Sequence, residues 1–563
     1  MSPPRRRRHL CFFPSRSVAI LHAVNRTRHR HRHRHRWCWL RKRHTAAAYT
    51  SGSKAPSAQI NHHQGGTDIP QVAAENMKQQ TLFDKLPDDI LHRIHSLLPI
   101  QDAACAACVS HAFLRSWRCY SKLILNDCAL GLNHIEFEER KIYLIDKVDK
   151  ILKNHHDKGV KVETLSLILT PCTNIKASYL DRWLRRTVKS GFKDLYLEMP
   201  LSMKKIYKFP CSVLSDEGAA SSIQFLNIGS CTFHPTSTLG SLARLKTVRL
   251  SFVHTTEEGL EHLFSKSSTL EELRIFACHG IICLKIPCTM RHLKILDVQL
   301  CSMLRVVEID APNLCYFNYD SALPEFYVRN CSQLKHVQLS SARTSGVLFY
   351  ARTILPSIAR NVESLILVGR SENANTPLLQ SKLPHLKNLE IRLRAVHPKG
   401  SPPSYDFFSL VSFLDASPAL ESFTLHVNEY VMKHYPVVGD NSECPRQKLD
   451  LSHNRLRHMT ITGFCSAKSL VELTVHILES THSLERLTLD TTYDYNRCIQ
   501  GPGTIGKCTT SSRIAKCWPM SKRGVDEAHR AVKTVGRYIA GRVPLAVQFE
   551  LMGPCSRCHT GSR

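Results

Sequence analysis

Long apolar stretches are missing from this 563-residue chain. No run of 18 or more apolar residues occurs, which argues against a conventional membrane-spanning helix. Cysteine is sparse as well: the 22 cysteines are scattered, which does not fit a disulfide-stapled miniprotein and is typical of a reducing compartment. We therefore expect ordinary hydrophobic cores, no membrane partner, and room for about four domains of roughly 150 residues.

Sequence signatures of catalysis are also missing. The patterns G-x-S-x-G and H-E-x-x-H do not occur, and there is no paired CxxC set with zinc spacing. Residues 501–507 (GPGTIGK) match the spacing of a phosphate-binding loop, but Cys508 stands where magnesium binding requires Ser or Thr. We interpret this segment as a flexible loop and predict no catalytic residues.

The last residues contain one further metal-like pattern. Cys555, Cys558 and His559 have the spacing of a haem attachment site, and they could bind zinc only with an upstream ligand such as Cys517. A site five residues from the end of the sequence has little chain with which to build a pocket. We interpret it as a terminal tail and predict no metal and no cofactor.

Acidic residues are absent from the first 50 residues, which contain thirteen Arg and one Lys. Residues 1–76 carry +13 of the formal net charge of +29 and show no apolar periodicity, which predicts a disordered basic tail. A nuclear address or nucleic-acid patch, an organelle transit peptide, and an unselected tail before a true start at Met77 remain open.

Residues 82–125 carry the most specific pattern in the chain. Pro87 and two acids open a helix whose apolar residues recur at helical spacing until Pro99 ends it. Asp102 and Ser110 can each cap a further short helix. Three short helices make only a marginal core, so we expect an exposed apolar face to pack on a partner.

This segment resembles the F-box, the module that docks substrate receptors onto the Skp-type adaptor of SCF ubiquitin ligases. The resemblance implies an adaptor-binding surface, to which these residues would contribute: Leu86, Pro87, Ile90, Leu91, Ile94, Val109 and Trp117.

Residues 130–490 repeat the pattern L-x-x-L-x-L, the signature of leucine-rich repeats. We expect an α/β solenoid, a horseshoe with a parallel inner sheet. Matches at Leu304 and Leu470 follow their predecessors too closely to be separate repeats. Thirteen copies start at Val162, Phe192, Ile223, Leu245, Leu270, Leu293, Leu314, Leu334, Val362, Leu386, Leu420, Leu456 and Leu484.

The third and fifth residues of each copy are expected to face the concave surface. Their mixture of both charges and hydroxyl groups favours a target protein over nucleic acid, whose phosphates would require many more bases than acids. The predicted target-binding residues are Arg249, Glu272, Arg274, Asp297, Gln338 and Glu390.

Residues 491–563 predict an α+β cap, with a helix over 525–540 and a strand over 543–551. The run from Ser469 to His559 resembles the FBD-type region of plant F-box/LRR proteins. That resemblance implies a non-catalytic substrate receptor of an SCF ligase, with an adaptor, a cullin and a target protein as partners, in the nucleus or cytoplasm. The alternative is a repeat scaffold that takes no part in ubiquitination.

Overall fold

A parallel sheet of fifteen strands runs through the described part of the chain, with every strand beside its neighbour in the repeat order. The computed structural model describes residues 86–98, 100–117, 120–202, 205–341, 345–370, 372, 376, 380–394, 405–428, 453–492 and 522–554. All of them belong to one compact unit, Gln80–Arg563. The predicted basic tail, the glycine loop at 501–507 and the terminal Cys/His motif lie outside these residues.

The helices within the described ranges lie before the first strand of this sheet and between later strands. They are α1 Asp88–Ser96, α2 Ile100–Val109, α3 His111–Trp117, α4 Phe137–Asp157, α5 Ala177–Thr187, α6 Glu217–Ala220, α7 Glu257–Lys266, α8 Val347–Thr353, α9 Leu355–Ile358, α10 Val411–Ala416, α11 Lys468–Ser480 and α12 Lys522–Tyr538. No helix in these ranges combines the length and the apolar character needed to cross a bilayer.

The large sheet contains one strand for each of the thirteen predicted repeats, and each strand begins two residues after the predicted start. Its strands are β1 Lys122–Leu125, β2 Thr164–Ile168, β3 Asp194–Glu198, β5 Phe225–Gly229, β7 Thr247–Ser251, β8 Glu272–Phe276, β10 Ile295–Gln299, β12 Tyr316–Asp320, β14 His336–Ser340, β15 Ser364–Arg370, β16 Asn388–Arg394, β17 Ser422–Val427, β18 His458–Thr462, β19 Arg486–Asp490 and β20 Gln548–Met552.

Alternation along each strand explains why this sequence forms the sheet. In β7, Val248 and Leu250 are buried, whereas the alternate residues Thr247 and Arg249 are half-buried on the opposite side. Leu245, two residues before the strand, is buried too. One repeat cannot bury these side chains alone, so neighbouring repeats stack and share one continuous core.

Where the structure describes the chain between neighbouring strands of the large sheet, it contains helices in some repeats and short strands in others. Between Leu270 and Leu334 the repeats are 20 to 23 residues long, and the return segments are strands. These are β9 Cys283–Ile286, β11 Val306–Asp310 and β13 Glu325–Arg329, a second parallel sheet. The match at Leu304 precedes β11, so it marks a strand of this second sheet. A shorter pair, β4 Tyr207–Lys208 and β6 Cys231–Thr232, lies earlier in the chain.

Four successive strands of the large sheet are each followed directly by a residue in the left-handed conformation. Ser230, Phe252, Ala277 and Leu300 have φ between 49° and 57°. Each donates its backbone N–H to the carbonyl of the last residue of the next strand, for example Ala277 to Gln299 at 2.7 Å. This hydrogen bond fixes the tight turn that leaves the sheet, and it offsets part of the cost of the left-handed conformation.

The sheet extends beyond residues 130–490 at both ends. β1 lies within the segment 82–125, and β20 pairs in parallel with β19, so it is the fifteenth strand of the sheet. The helix predicted over 525–540 is α12, and its Ala531 and Val535 join the main core. The C-terminal segment therefore supplies a further strand as well as the helix that covers the last repeat.

Candidate interaction surfaces

An exposed apolar stripe runs along the first helix, formed by Ile90 and Ile94 of α1 and by Leu97, which directly follows it. Ile90 is 42% exposed, Leu97 is 77% exposed, and Ile94 is half-buried. Their spacing of four and three residues places them on one side of α1. We call these three residues the α1 stripe. Burying such a surface would contribute roughly 25 cal/mol per Å², so it suits association with another protein.

The other residues predicted for adaptor binding have different surroundings. Leu91 is fully buried against Ala112 and Phe113, so its side chain holds the three helices together and is not accessible to a partner. Pro87 is exposed and Leu86 half-buried, beside the start of the α1 stripe.

Trp117 is the last residue of α3. Its side chain is half-buried against the main core and is not part of the α1 stripe. The Val109 side chain lies outside what the structure describes.

His95 joins the three helices to the solenoid. Its ring is fully buried and lies 5.3 Å from that of Phe113, 6.0 Å from Trp117 and 5.6 Å from Tyr120. Its Nε2–H donates to the Ala103 carbonyl at 2.8 Å. Burial lowers the pKa of His95, because the imidazolium would lose its hydration there.

A second contact supports the same junction. The Tyr120 hydroxyl donates to the Leu98 carbonyl at 3.0 Å, and Tyr120 immediately precedes the segment that leads into β1. Ile100 and Ala103 of α2 belong to the same apolar core as Leu123 of β1. The three helices are therefore packed directly onto the first strand of the sheet.

Five of the six predicted target-binding residues share one register position across the large sheet. Arg249 pairs with Arg274, Arg274 with Asp297, and Asp297 with Asn318. The same row continues through Gln338 of β14 to Glu390 of β16. Glu272 lies in the adjacent row, two residues before Arg274. We call the side of the large sheet opposite the core the sheet face.

Ion pairs connect the first four of these residues. Glu272 Oε1 accepts from Arg249 Nη2 at 2.9 Å and from Arg274 Nε at 2.6 Å, and Arg274 Nη1 lies 3.4 Å from Asp297 Oδ2. Burial opposes ionisation of Glu272, but the two guanidinium groups outweigh it and lower its pKa. The network holds the Arg and Glu side chains in one arrangement before any partner binds.

The other predicted acid, Glu390, is also paired within the sheet face. His426 Nε2 lies 3.1 Å from Glu390 Oε1, and Arg392 Nε lies 2.5 Å from the same oxygen. The hydrogen bond from His426 and the charge of Arg392 outweigh burial and lower the pKa of Glu390 to about 2. His426 Nδ1 lies 2.6 Å from the hydroxyl of Thr462, a residue that is only 6% exposed.

Comparison with known proteins identifies the two parts of the chain that carry these surfaces. The F-box domain model matches residues 83–123, which contain α1 to α3. The model described as At1g61320/AtMIF1, LRR domain, matches residues 151–556, which is most of the chain. This chain belongs to the plant F-box/LRR family.

Individual relatives support this assignment. The putative FBD-associated F-box protein At5g53635 of Arabidopsis thaliana is 24% identical over 73% of this chain and 95% of its own length. The putative F-box/LRR-repeat protein At3g58880 of the same plant is 26% identical over 47% of this chain and 58% of its own length. F-box/LRR-repeat protein At3g58900, also from Arabidopsis thaliana, is 25% identical over 48% of this chain and 83% of its own length.

The F-box of this plant F-box/LRR protein also contains two features that the predicted site omits. Leu97 belongs to the α1 stripe, and its position seven residues after Ile90 is a signal that the sequence already contains. His95 carries no such signal, because a polar residue on a helix indicates an exposed position until the packing around it is known. Within the described residues, no group of three or more His, Cys, Asp or Glu side chains is arranged to bind a metal ion.

Proposed function

We propose that this F-box/LRR protein is the substrate-recognition subunit of an SCF-type ubiquitin ligase. Its F-box would bind the Skp-type adaptor, and through it the cullin, and its sheet face would bind a target protein for ubiquitination. The observation that carries the proposal is the α1 stripe, an exposed apolar surface on the helix where the F-box pattern begins. We further propose that the protein acts in the nucleus or the cytoplasm, as the family resemblance implies.

The mechanism requires no catalytic residue of this chain. Binding the adaptor and the target at once raises the effective concentration of target lysines near the activated ubiquitin, whose chemistry belongs to partner enzymes. The packing of His95 and Tyr120 between F-box and solenoid supports this role, because a target held on the sheet face keeps one orientation relative to the adaptor.

Adaptor binding by the full-length chain tests the proposal. The double variant Ile90→Asp/Leu97→Asp places two charges on the α1 stripe, and we expect it to abolish capture of the Skp-type adaptor and cullin. Ile142→Asp is the matched control, because Ile142 is 65% exposed on α4, away from the F-box helices in sequence. It should bind the adaptor like the parent chain.

The alternative, a repeat scaffold outside the ubiquitin pathway, makes the opposite prediction. A folded parent chain that fails to bind the adaptor while still binding a target would establish the scaffold and exclude the ligase role. Equal adaptor binding by the parent and the double variant would show that the α1 stripe is not the adaptor site.

A further inference from the structure

We propose that the first half of the sheet face, from β3 to β12, binds a basic segment of the target, a stretch of chain that presents lysine or arginine side chains. This inference rests on the proposed function, because it specifies the chemistry of the protein that the sheet face receives. Three properties of the described side chains carry it: their charge, two buried acceptors, and their aromatic rings.

The charge of this half of the sheet face is negative, although the chain as a whole is strongly basic. In the β3 to β12 part of the large sheet, the outward positions hold two bases, Arg249 and Arg274. The acids at outward positions of the same strands are Asp194, Glu198, Glu272, Asp297 and Asp320. The excess of acids attracts a cationic partner and repels nucleic acid or an acidic peptide.

Two acceptor atoms in this region are buried without a donor. Asn318 is 6% exposed, and its Nδ2 donates to Asp297 Oδ1 at 2.8 Å, so the amide oxygen must accept elsewhere. Among the described residues no donor reaches Asn318 Oδ1 or, two residues along β12, Asp320 Oδ1. A buried acceptor left unpaired costs about 1–3 kcal/mol. Asp320 as a residue is only half-buried, so the ammonium or guanidinium group of a partner can approach its carboxylate and supply the opposite charge.

Aromatic rings also lie at outward positions of this half of the sheet face. Tyr196 and Phe225 stack with centroids 4.3 Å apart, and Arg249 Cζ lies 5.2 Å from the Phe225 ring centroid. A guanidinium group therefore already uses this aromatic surface within the chain. Phe276 and Tyr316 are half-buried at further outward positions. Half-exposed rings beside carboxylates provide cation–π contacts for lysine and arginine.

A free divalent cation fits this site less well than a basic side chain. The Asp297 carboxylate is already occupied by Arg274, Gln299 and Asn318, with Gln299 Nε2 donating to Oδ1 at 2.8 Å. Around Asn318 that leaves one carboxylate, Asp320, and one amide oxygen with capacity for a new partner, and a hard cation needs six or more oxygen ligands.

The experiment uses the full-length chain without adaptor and a displayed library of random 12-residue peptides. We expect the selected peptides to contain Lys or Arg at fixed positions. Non-specific attraction by a chain of net charge +29 would select acidic peptides instead, so basic selection reports a specific surface. Fluorescence anisotropy then gives the Kd of one selected peptide and of its copy with Gln in place of each Lys and Arg.

Variants place the site on the sheet. Asp320→Asn, which preserves shape, should raise the Kd at least tenfold, and Asp194→Asn should raise it to a smaller extent. Glu258→Gln is the control, because Glu258 is an exposed acid on α7 and not on the sheet face, and it should leave the Kd unchanged. Thermal unfolding midpoints equal to that of the parent show that each variant is folded.

The proposal is overturned if the selected peptides lack basic residues, if no peptide is selected by a folded chain, or if Asp320→Asn binds like the parent. Restoration of parent-like binding to the Gln copy by added Mg²⁺ would also overturn it. Adaptor binding is measured separately on chain without peptide. Its failure, with basic-peptide binding intact, would refute the ligase role and leave the basic-segment inference standing.

Discussion

Lys387 donates to the carboxylate of Glu363 at 2.8 Å across two adjacent repeats. Both residues stand immediately before a strand of the large sheet, and Lys335, at the same position of the preceding repeat, reaches the other carboxylate oxygen at 2.9 Å. Opposite charges pair at this position in other repeats as well. The further pairs are Lys193 with Glu163, Lys246 with Glu271, Lys294 with Glu271, and Arg457 with Glu485.

Glu363→Gln should lower the thermal midpoint, and the loss should be smaller at 1 M salt, where the screening length falls to about 3 Å. The hydrogen bonds from Lys387 and Lys335 lower the pKa of Glu363 to about 2. Its contribution is therefore present above pH 4.5 and is lost as the pH falls towards 2. A double-mutant cycle with Lys387→Gln measures the coupling, and additive losses would contradict the pairing.

Burial of His453 leads us to expect a loss of unfolding free energy as the pH falls. Its side chain is 8% exposed, and burial lowers its pKa to about 4. The unfolded chain binds a proton near pH 6.5 and the folded chain does not, so stability falls between pH 6.5 and 4, by up to about 3 kcal/mol. His453→Gln should flatten this acid limb of the unfolding free energy.

The carboxylate of Asp415 lies 3.8 Å from His453 Nε2. Asp415 has the opposite effect on stability, which it increases as the pH falls. Burial raises the pKa of Asp415 to about 6, so the folded chain binds this proton before the unfolded one does. Asp415→Asn should therefore steepen the loss of stability below pH 6, measured by chemical unfolding at a series of pH values. A shift of both variants in the same direction would show that the two groups do not titrate as described.

The left-handed turns after the strands predict a stabilising substitution. Ala277 has φ 49°, where a side chain costs about 1–2 kcal/mol, so Ala277→Gly should raise stability by about 0.5–1 kcal/mol after loss of the methyl contacts. Gly463, with φ 68° after β18, is the reverse control, and Gly463→Ala should lower stability by about 1 kcal/mol. Urea unfolding of both variants tests this, and a destabilised Ala277→Gly would contradict it.

Attachment of α12 depends on a buried carboxylate. Glu527 is 5% exposed and accepts from the backbone N–H and the hydroxyl of Ser466, each at 2.7 Å. Glu527→Ala leaves these donors without this acceptor and should cost about 1–3 kcal/mol. Hydrogen exchange over residues 522–552 should accelerate. Glu479→Ala, which removes an exposed pair with Arg542, is the control and should change stability by less than about 1 kcal/mol.

The repeat strands could be predicted from the sequence because each one buries two apolar residues at a spacing of two. The thirteen starts all lead into strands of the large sheet, including the irregular ones at Val162 and Val362. β20 could not be assigned to that sheet, because its burial pattern contains no fully buried residue and its partner β19 is 62 residues earlier by their first residues, Gln548 and Arg486.

Side-chain roles were harder to predict than strands. Leu91 and Leu97 both belong to the F-box pattern, but only three-dimensional packing shows that Leu91 is buried and Leu97 exposed. The assignment of Asp297 to the sheet face follows from strand register, whereas its hydrogen bonds come from Asn318 and Gln299, which the pattern did not single out. Contacts between different repeats depend on the register of neighbouring strands, which one sequence does not specify.

Hydrogen exchange of the full-length chain, with and without saturating Skp-type adaptor, tests the central claim most directly. The account predicts slower exchange over residues 88–98, which contain the α1 stripe, and unchanged exchange over residues 247–320 of the sheet face. Bound adaptor that leaves residues 88–98 unprotected, or that protects the sheet face instead, would contradict the assignment of the two surfaces.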